Sequence, residues 1–512
     1  MDIIFHNVRA LTNDRRRPLA TLVAVQGERI AYVGETADLD GLRQPGTRVV
    51  DGAGLGLVPG FIDAHTHLFA YAAHLLSVDC SPAAVLSIPE LQAAVRRRAA
   101  ETPSGQWVRA VGYNEFYLAE RRHPTRWDLD EAAPEHPVRL AHRSGHAVVL
   151  NSRGLRAVGI SLETPDPPEG LIDRAAPSGE PTGILYDADA YLKERVPRLT
   201  DAELSDGVRR AMRLYLSQGY TSLQDATYHN GPDDWRTMQR LSASGELPLR
   251  VTMMADGRQI DAFLWAGLSF RAGDNRLRLG AAKIMLQEAT GALYPSAEEL
   301  RDLVLRLYRL RWQVAVHAVE ERPIAAVADA FAAAFASIPG ASDRRLRVEH
   351  CSLCPPELLE RLVGRDVVVV TQPAFIHHSG ERYLAEVPAD KHAWLYRCKS
   401  FVGARLRPAA GSDAPVAPPS ALLGMSAAVT RRAASGQAVA PEETITVQEA
   451  LEMHTRAAAY AAFEEKERGA IMPGMFADLV LLSADPTSVD ADAIKDIRVH
   501  MTMIGGKVAW EG

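Results

Sequence analysis

The stretch LVPGFIDAHTH, residues 57–67, decides how the rest of the chain is read. It opens on an apolar run, turns through Pro59-Gly60 and ends on two histidines separated by one residue. A short, nearly continuous apolar run predicts a strand buried on both faces. Working outward, similar runs recur: TSLQDAT (221–227), LRVTMMAD (249–256), LRLGAAKIM (277–285), QVAVHAVE (313–320), LRVEHC (346–351), VVVVTQP (367–373) and AAGSDAP (409–415). Between them lie segments with apolar residues at three- and four-residue spacing, such as AEELRDLVLRLYRLR and RPIAAVADAFAAAFAS. Eight strand–helix units predict an α/β fold, a (β/α)8 TIM-like barrel with right-handed crossovers, with an open doubly wound sheet as the alternative.

The two ends of the chain have another rhythm. DIIFHNVRAL, TLVAVQGERIAYVG and TRVVDGAGLGLVPG alternate apolar and polar residues between Gly or Asn turns, and so do ADLVLLSADP and IRVHMTMIGGKVAW, the last around Gly505-Gly506. This predicts a small composite β-sandwich built from both termini. Residues 1–58 supply its N-terminal part, 461–512 its C-terminal part, and 59–460 the barrel. A mixed, Pro-containing stretch from about 70 to 205 interrupts the strand–helix rhythm and is too long for a loop, so a helical insertion is expected there.

Composition narrows the classes. With 47% hydrophobic and 24% charged residues, the chain of 512 has material for a large core and is neither disordered nor fibrous. Its net charge of −7 and lack of a basic stripe argue against nucleic acid or an anionic membrane as partner. The acid at position 2 and a basic run placed after the apolar stretch do not fit a secretory signal, and no apolar run is long enough to span a bilayer. Four cysteines are too few for a disulfide framework, so a cytoplasmic protein is expected. Cys351 and Cys354 form a single CxxC with no second pair, which reads as core thiols. GAGLGLVPG lacks the spacing of a dinucleotide loop, and no GxSxG elbow exists.

Barrel strands converge at their C-terminal ends, so polar residues there are the candidates for chemistry. His65 and His67, at i and i+2 of an extended strand, share a face. His317 ends the fifth run, His350 the sixth and Asp413 the eighth, while Lys283 lies among apolar neighbours on the fourth. Taken singly, each has an ordinary structural role open to it. Together, imidazoles and a carboxylate from separate strand ends suit Zn²⁺ or a similar cation, one or two per chain.

In PGFIDAHTHL, KIM, VAVHA, RVEH and GSDAP the sequence resembles the metal-dependent amidohydrolases. The segments RRHPTRWDLDEAAPEHPVRLAHRSGHAVVLNSRGLRAVGI, GEPTGIL and GYTSLQDAT resemble the amidohydrolase 3 branch, which includes N-substituted formamide deformylase-like enzymes. The resemblance covers essentially the whole chain and implies the barrel with its composite sandwich. It also implies that His65, His67 and Asp413 hold one metal and His317 and His350 a second, with Lys283 in the place of a lysine that CO₂ carboxylates into a bridge. Two departures stand out: Glu320 and Glu321 where the branch usually has Gly-Asp, and MLQEATGALYP after the lysine. Neither removes a ligand; both bear on the substrate pocket, so the resemblance does not carry a particular substrate across.

The expected reaction is metal-dependent hydrolysis of an amide C–N bond in a small molecule, such as an N-formyl or N-acyl amine, by metal-activated hydroxide. Asp413 would act as general base and then general acid. An isomerase, lyase or decarboxylase on the same barrel and a non-catalytic regulator are the alternatives. Candidates for contact with substrate are His146, Asn114 and Glu115 (beside Tyr113), Gln372, His377 and His378. Exposed apolar patches could also make a homodimer.

Overall fold

All eight apolar runs contribute strands: β1 (Phe61–Thr66), β2 (Tyr220–Asp225), β3 (Arg250–Asp256), β4 (Leu277–Ile284), β5 (Val314–Ala318), β6 (Leu346–His350), β7 (Val367–Thr371) and β8 (Ala409–Ala410). In the computed structural model they pair in parallel and in numerical order. Just past β8 the Asp413 N–H donates to the His65 carbonyl (2.7 Å) and the His67 N–H to the Ala414 carbonyl (2.9 Å), which brings the last strand back to the first. This is the barrel, and the open sheet is excluded. The structure describes residues 1–168, 170–289, 291–338, 340 and 343–512.

Local sequence explains the helices that follow the strands. Helix Ala297–Arg309 starts at Ser296, whose hydroxyl accepts from the Glu299 N–H while the Glu299 carboxylate accepts from the Ser296 N–H. That reciprocal cap satisfies two otherwise orphaned donors. The helix then buries Leu300, Val304, Leu307 and Tyr308 along one stripe. Each such aliphatic side chain contributes about 1.5–3 kcal/mol, so Leu307→Ala costs more than loss of the cap, which is worth about 1 kcal/mol. The strands need no alternation because both faces are covered; all five residues of β7 are buried.

The LVPGFIDAHTH stretch itself divides at Gly60. Residues before it, Gly56–Pro59, form a strand that pairs antiparallel with Leu479–Leu482, Leu57 facing Leu481. Through that pairing an eight-stranded mixed sheet joins strands Ile3–Leu11, Leu19–Gln26, Arg29–Gly34 and Arg48–Asp51 to Val499–Ile504 and Lys507–Glu511. The last two meet at Gly505-Gly506, whose positive φ angles of 54° and 73° suit a two-residue hairpin turn. One apolar cluster draws on both ends of the chain, with Phe5, Val23 and Val25 beside Leu479, Met501 and Met503.

By packing, Met1–Leu68 and Met212–Gly512 form one unit and Phe69–Ala211 another. The expected helical insertion is instead a mixed α/β unit. Its six-stranded sheet runs Leu171–Arg174, Pro181–Tyr186, Ala147–Leu150, Val138–His142, Val108–Tyr113, Val78–Asp79. Helices Ile88–Glu101 and Arg126–Ala132 pack Leu91, Val95 and Leu129 into a core with Val108, Leu140 and Val149. Ala147–Leu150 and Pro181–Tyr186 are short and buried nearly throughout, so they carry no alternation to separate them from helix, and the remaining strands are too short or irregular to show a sustained one. Among the described residues, no helix is long and apolar enough to cross a membrane.

Candidate metal centre

His65 lies near the end of β1 and His67 just beyond it; their rings are 5.3 Å apart, centre to centre. Asp413 reaches them because residue 411 is glycine: a Cβ there would lie 2.6 Å from the His65 Cβ and 2.7 Å from its nitrogen. The backbone of Asp413 is left-handed (φ 57°), which aims its carboxylate back at β1. Asp413 Oδ1 stands 3.0 Å from His67 Nε2 and 3.5 Å from His65 Nε2. Ligands sharing one tetrahedral zinc lie about 3.4 Å apart, from Zn–N and Zn–O lengths near 2.1 Å. The potential ligand atoms of these three residues all fall within 4.8 Å of one another.

The remaining predicted ligands gather beside them. His350 ends β6 with left-handed backbone (φ 70°), and its ring centre is 4.7 Å from that of His65 and 4.5 Å from that of His317. Lys283, on β4, is almost completely buried and its Nζ has no hydrogen-bond partner. Burial pulls its pKa down to about 8, against the pull of Glu349 and Asp413 toward the charged form. Burial together with the Lys283 charge holds His65 well below the usual histidine range, so it is a neutral ring. Burial alone would raise the Asp413 carboxyl, but the hydrogen bond with His67 leads the influences that outweigh it and hold it well below the carboxylate range.

Three of the four imidazoles are steadied through Nδ1. His65 Nδ1 is 2.5 Å from Glu349 Oε2, His67 Nδ1 is 3.1 Å from Thr227 Oγ1, and His350 Nδ1 is 2.9 Å from Gln372 Oε1. His65 Nε2, by contrast, is buried without a hydrogen-bond partner. A buried lone pair and a buried amine left unsatisfied beside a carboxylate are costly unless something binds them. The donor set fits a divalent cation for that reason, as well as by its spacing.

Asp63, also on β1, supports the closure. It accepts from the Ser412 N–H (2.9 Å) and hydroxyl (2.5 Å), and burial raises its pKa to about 7 despite those bonds. Sequence reading passed over Asp63, Thr227, Arg347 and Glu349. The available signal was charge inside runs otherwise buried on both faces, as in FIDAHT and LRVEH.

The substrate candidates fall in both units. Gln372 is fully buried just after β7 and is engaged by His350. His377 and His378 are half-buried neighbours on helix Ala374–Glu386, rings 5.5 Å apart. In the inserted unit, Asn114 is buried and accepts from the Phe116 N–H. Glu115 Oε2 lies 2.9 Å from His142 Nε2 and 3.7 Å from His123 Nδ1. His146, the most exposed of the set, pairs with Asp187 at 2.7 Å. Of the two departures, Glu321 pairs with Lys391 at the start of helix Glu321–Ser337. Cys351 and Cys354 are buried free thiols, and the hydrogen bond between them together with burial pushes the Cys351 thiol well up, in keeping with core residues.

A (β/α)8 barrel whose strand ends gather histidines, a lysine and an aspartate is the architecture of metal-dependent barrel hydrolases. The amidohydrolase family model matches residues 48–509, and the chain belongs to that family of enzymes. It is 30% identical to the N-substituted formamide deformylase of Arthrobacter pascens, over 100% of this chain and 98% of that one. It is 28% identical to the putative amidohydrolase YtcJ of Bacillus subtilis, over 91% of each. Among solved structures, an uncharacterized metal-dependent hydrolase from Pyrococcus horikoshii OT3 shares the fold, with a TM-score of 0.76, 23% identity, and coverage of 96% of this chain and 99% of that one.

Proposed function

We propose that this chain is a metal-dependent hydrolase that cleaves the amide C–N bond of a small molecule, with N-formyl and N-acyl amines as the substrate class. The observation that carries the reading is Asp413 Oδ1 within 3.0 and 3.5 Å of two imidazole Nε2 atoms at the C-terminal ends of barrel strands. Likeness along the full chain to a formamide deformylase supports the choice of substrate class.

His65, His67 and Asp413 would hold one cation, and His317, His350 and Lys283 would hold a second. A divalent cation there supplies Lewis acidity, acidifying water to a pKa near ~7 and polarising a carbonyl. Zinc is the proposed ion, because the donors are mainly imidazole nitrogens. Asp413 takes the water proton on its carboxylate and returns it to the leaving nitrogen, which then departs as a neutral amine. Lys283, pulled toward its neutral form by burial, has the nucleophilic amine that carboxylation by CO₂ requires.

The test is to incubate the zinc-loaded chain with a panel of N-formyl and N-acyl amines in H₂¹⁸O. Expected are equal amounts of amine and carboxylate, with one ¹⁸O in the carboxylate. Products without solvent oxygen would replace hydrolysis with the lyase or isomerase alternative. Zinc content per chain measured on the same sample separates a one-ion from a two-ion centre.

A further inference from the structure

Arg347 and Glu349 alternate along β6, so both side chains lie on one face of the strand, and both are 1% exposed or less. A buried ion pair is costly unless every donor and acceptor is matched. Here the matching is dense. Arg347 Nε donates to Glu349 Oε1 at 2.6 Å and Nη2 to Oε2 at 3.1 Å. Its Nη1 reaches Gln224 Oε1 on β2 at 2.5 Å, and Nη2 also reaches the Ala64 carbonyl on β1 at 2.8 Å. These two strands are not neighbours of β6 in the sheet, so the guanidinium spans the barrel interior.

One contact is then left to Glu349: Oε2 against His65 Nδ1, at 2.5 Å. A carboxylate paired with a guanidinium only accepts hydrogen bonds. A neutral imidazole facing it must therefore carry its hydrogen on Nδ1 and its lone pair on Nε2. At Nδ1 the rings of His67 and His350 are not constrained in this way; His67 instead meets the Asp413 carboxylate through Nε2, at 3.0 Å. His67 faces a hydroxyl, which donates or accepts, and His350 faces an amide that can present either end.

We propose that Arg347 and Glu349 are positioning residues that lock His65 in its Nδ1–H tautomer and present its Nε2 lone pair toward Asp413. The proposal rests on reading His65 as a metal ligand, but the tautomer is a property of the chain alone and is measured without metal. Glu349→Gln is the sharp variant. If its amide nitrogen turns toward Arg347 it meets another donor. If it turns toward His65 it donates to Nδ1 and drives the hydrogen to Nε2.

The experiment is two-bond ¹H–¹⁵N spectroscopy of the metal-free, full-length chain labelled at histidine nitrogens, with His65 assigned by its loss in His65→Asn. Expected in the native chain is a protonated Nδ1 and a pyridine-like Nε2 for His65. Glu349→Gln shifts the population toward Nε2–H and weakens zinc binding about 10–100-fold in chelator competition. Glu349→Asp keeps a carboxylate and restores both readouts toward native. The paired change Arg347→Met with Glu349→Leu removes the ion pair without stranding a charge; it leaves His65 a mixture of tautomers and guards against a variant that fails to fold. An Nε2–H tautomer in the native chain, or an unchanged tautomer in both the Gln and the paired variant, overturns the proposal. A native Nδ1–H tautomer in a chain that binds no zinc leaves the lock standing and removes the hydrolase reading instead.

Discussion

In the barrel, His65, Glu349 and His350 are at most 5% exposed, and the groups around them come from β1, β4, β5, β6 and the end of β8. In the inserted unit, Glu115, His123 and His142 keep side-chain exposures of 30%, 23% and 15%, and come from one sheet and the segments beside it. Both clusters hold histidines and carboxylates, and in both some buried polar atoms lack a well-formed hydrogen bond, Glu115 Oε2 and His142 Nε2 in the one and Lys283 Nζ and His65 Nε2 in the other, so they differ in enclosure and convergence. The inserted cluster pairs internally, Glu115 with both histidines and the Tyr113 hydroxyl with His123 at 2.9 Å. The barrel cluster leaves the Lys283 amine and the His65 Nε2 lone pair buried without hydrogen bonds. What sets the barrel cluster apart is the convergence of buried donor atoms from several strands, rather than the residue types or an unmet hydrogen bond alone.

The largest effect expected from that difference is at Asp413. Asp413→Asn should lower amide hydrolysis by about 10²–10⁴-fold while much of the zinc per chain, read by elemental mass spectrometry, is retained through the remaining ligands. Loss of both together would make Asp413 a ligand first and a base second. Stripping the ion from the native chain comes next. A ligand present at about 1,000 times its Kd stabilises by about 4 kcal/mol, so thermal unfolding should fall to lower temperature with chelator and recover with zinc. No shift would break the comparison at its root.

His454 separates burial from convergence. It is completely buried, neither ring nitrogen has a partner, and Gly424 packs against its Nε2 edge; burial lowers its pKa to about 3. Lying outside the His65–His67–Asp413 group, it should act on stability alone. The unfolded chain protonates this ring near pH ~6.5 and the folded chain only near 3, so stability is full above 6.5 and falls by about 1.4 kcal/mol per pH unit between the two values. His454→Leu should flatten that part of the stability–pH curve measured by denaturant titration, and an unchanged slope would deny that the ring is neutral when folded. The smallest effect belongs to the inserted cluster. Glu115→Gln breaks a part-exposed pair and should cost under about 1 kcal/mol with zinc content unchanged. A large loss of zinc there would mean that the two clusters are not independent.

The convergence of the proposed ligand residues was legible because a strand shows its chemistry at fixed places: HxH puts two rings on one face, and barrel strand ends converge whatever the loops do. What shapes those ligands was not. Left-handed backbone at His350 and Asp413 overrides the strand period, and nothing in LRVEHC or AAGSDAP announces it. Nor does sequence say which charged residue turns inward; Arg347 and Glu349 become readable only once β6 is known to be enclosed. The inserted unit escaped for a related reason, since strands as short as Ala147–Leu150 and Pro181–Tyr186, buried nearly throughout, look like pieces of helix until their partners are known.

The pairing of Gly56–Pro59 with Leu479–Leu482 also sets a timetable for synthesis. The two strands are separated by more than 400 residues of chain. At about 5–20 residues per second, a ribosome takes on the order of 20–80 s to deliver the second after the first. Through that interval the early strands Ile3–Leu11 and Leu19–Gln26 have left the ribosome while the apolar partners contributed by Leu479, Met501 and Met503 do not yet exist. The sheet that begins the chain is therefore among the last parts to be completed, and its unpaired edge is the surface that slow translation or a chaperone must shelter.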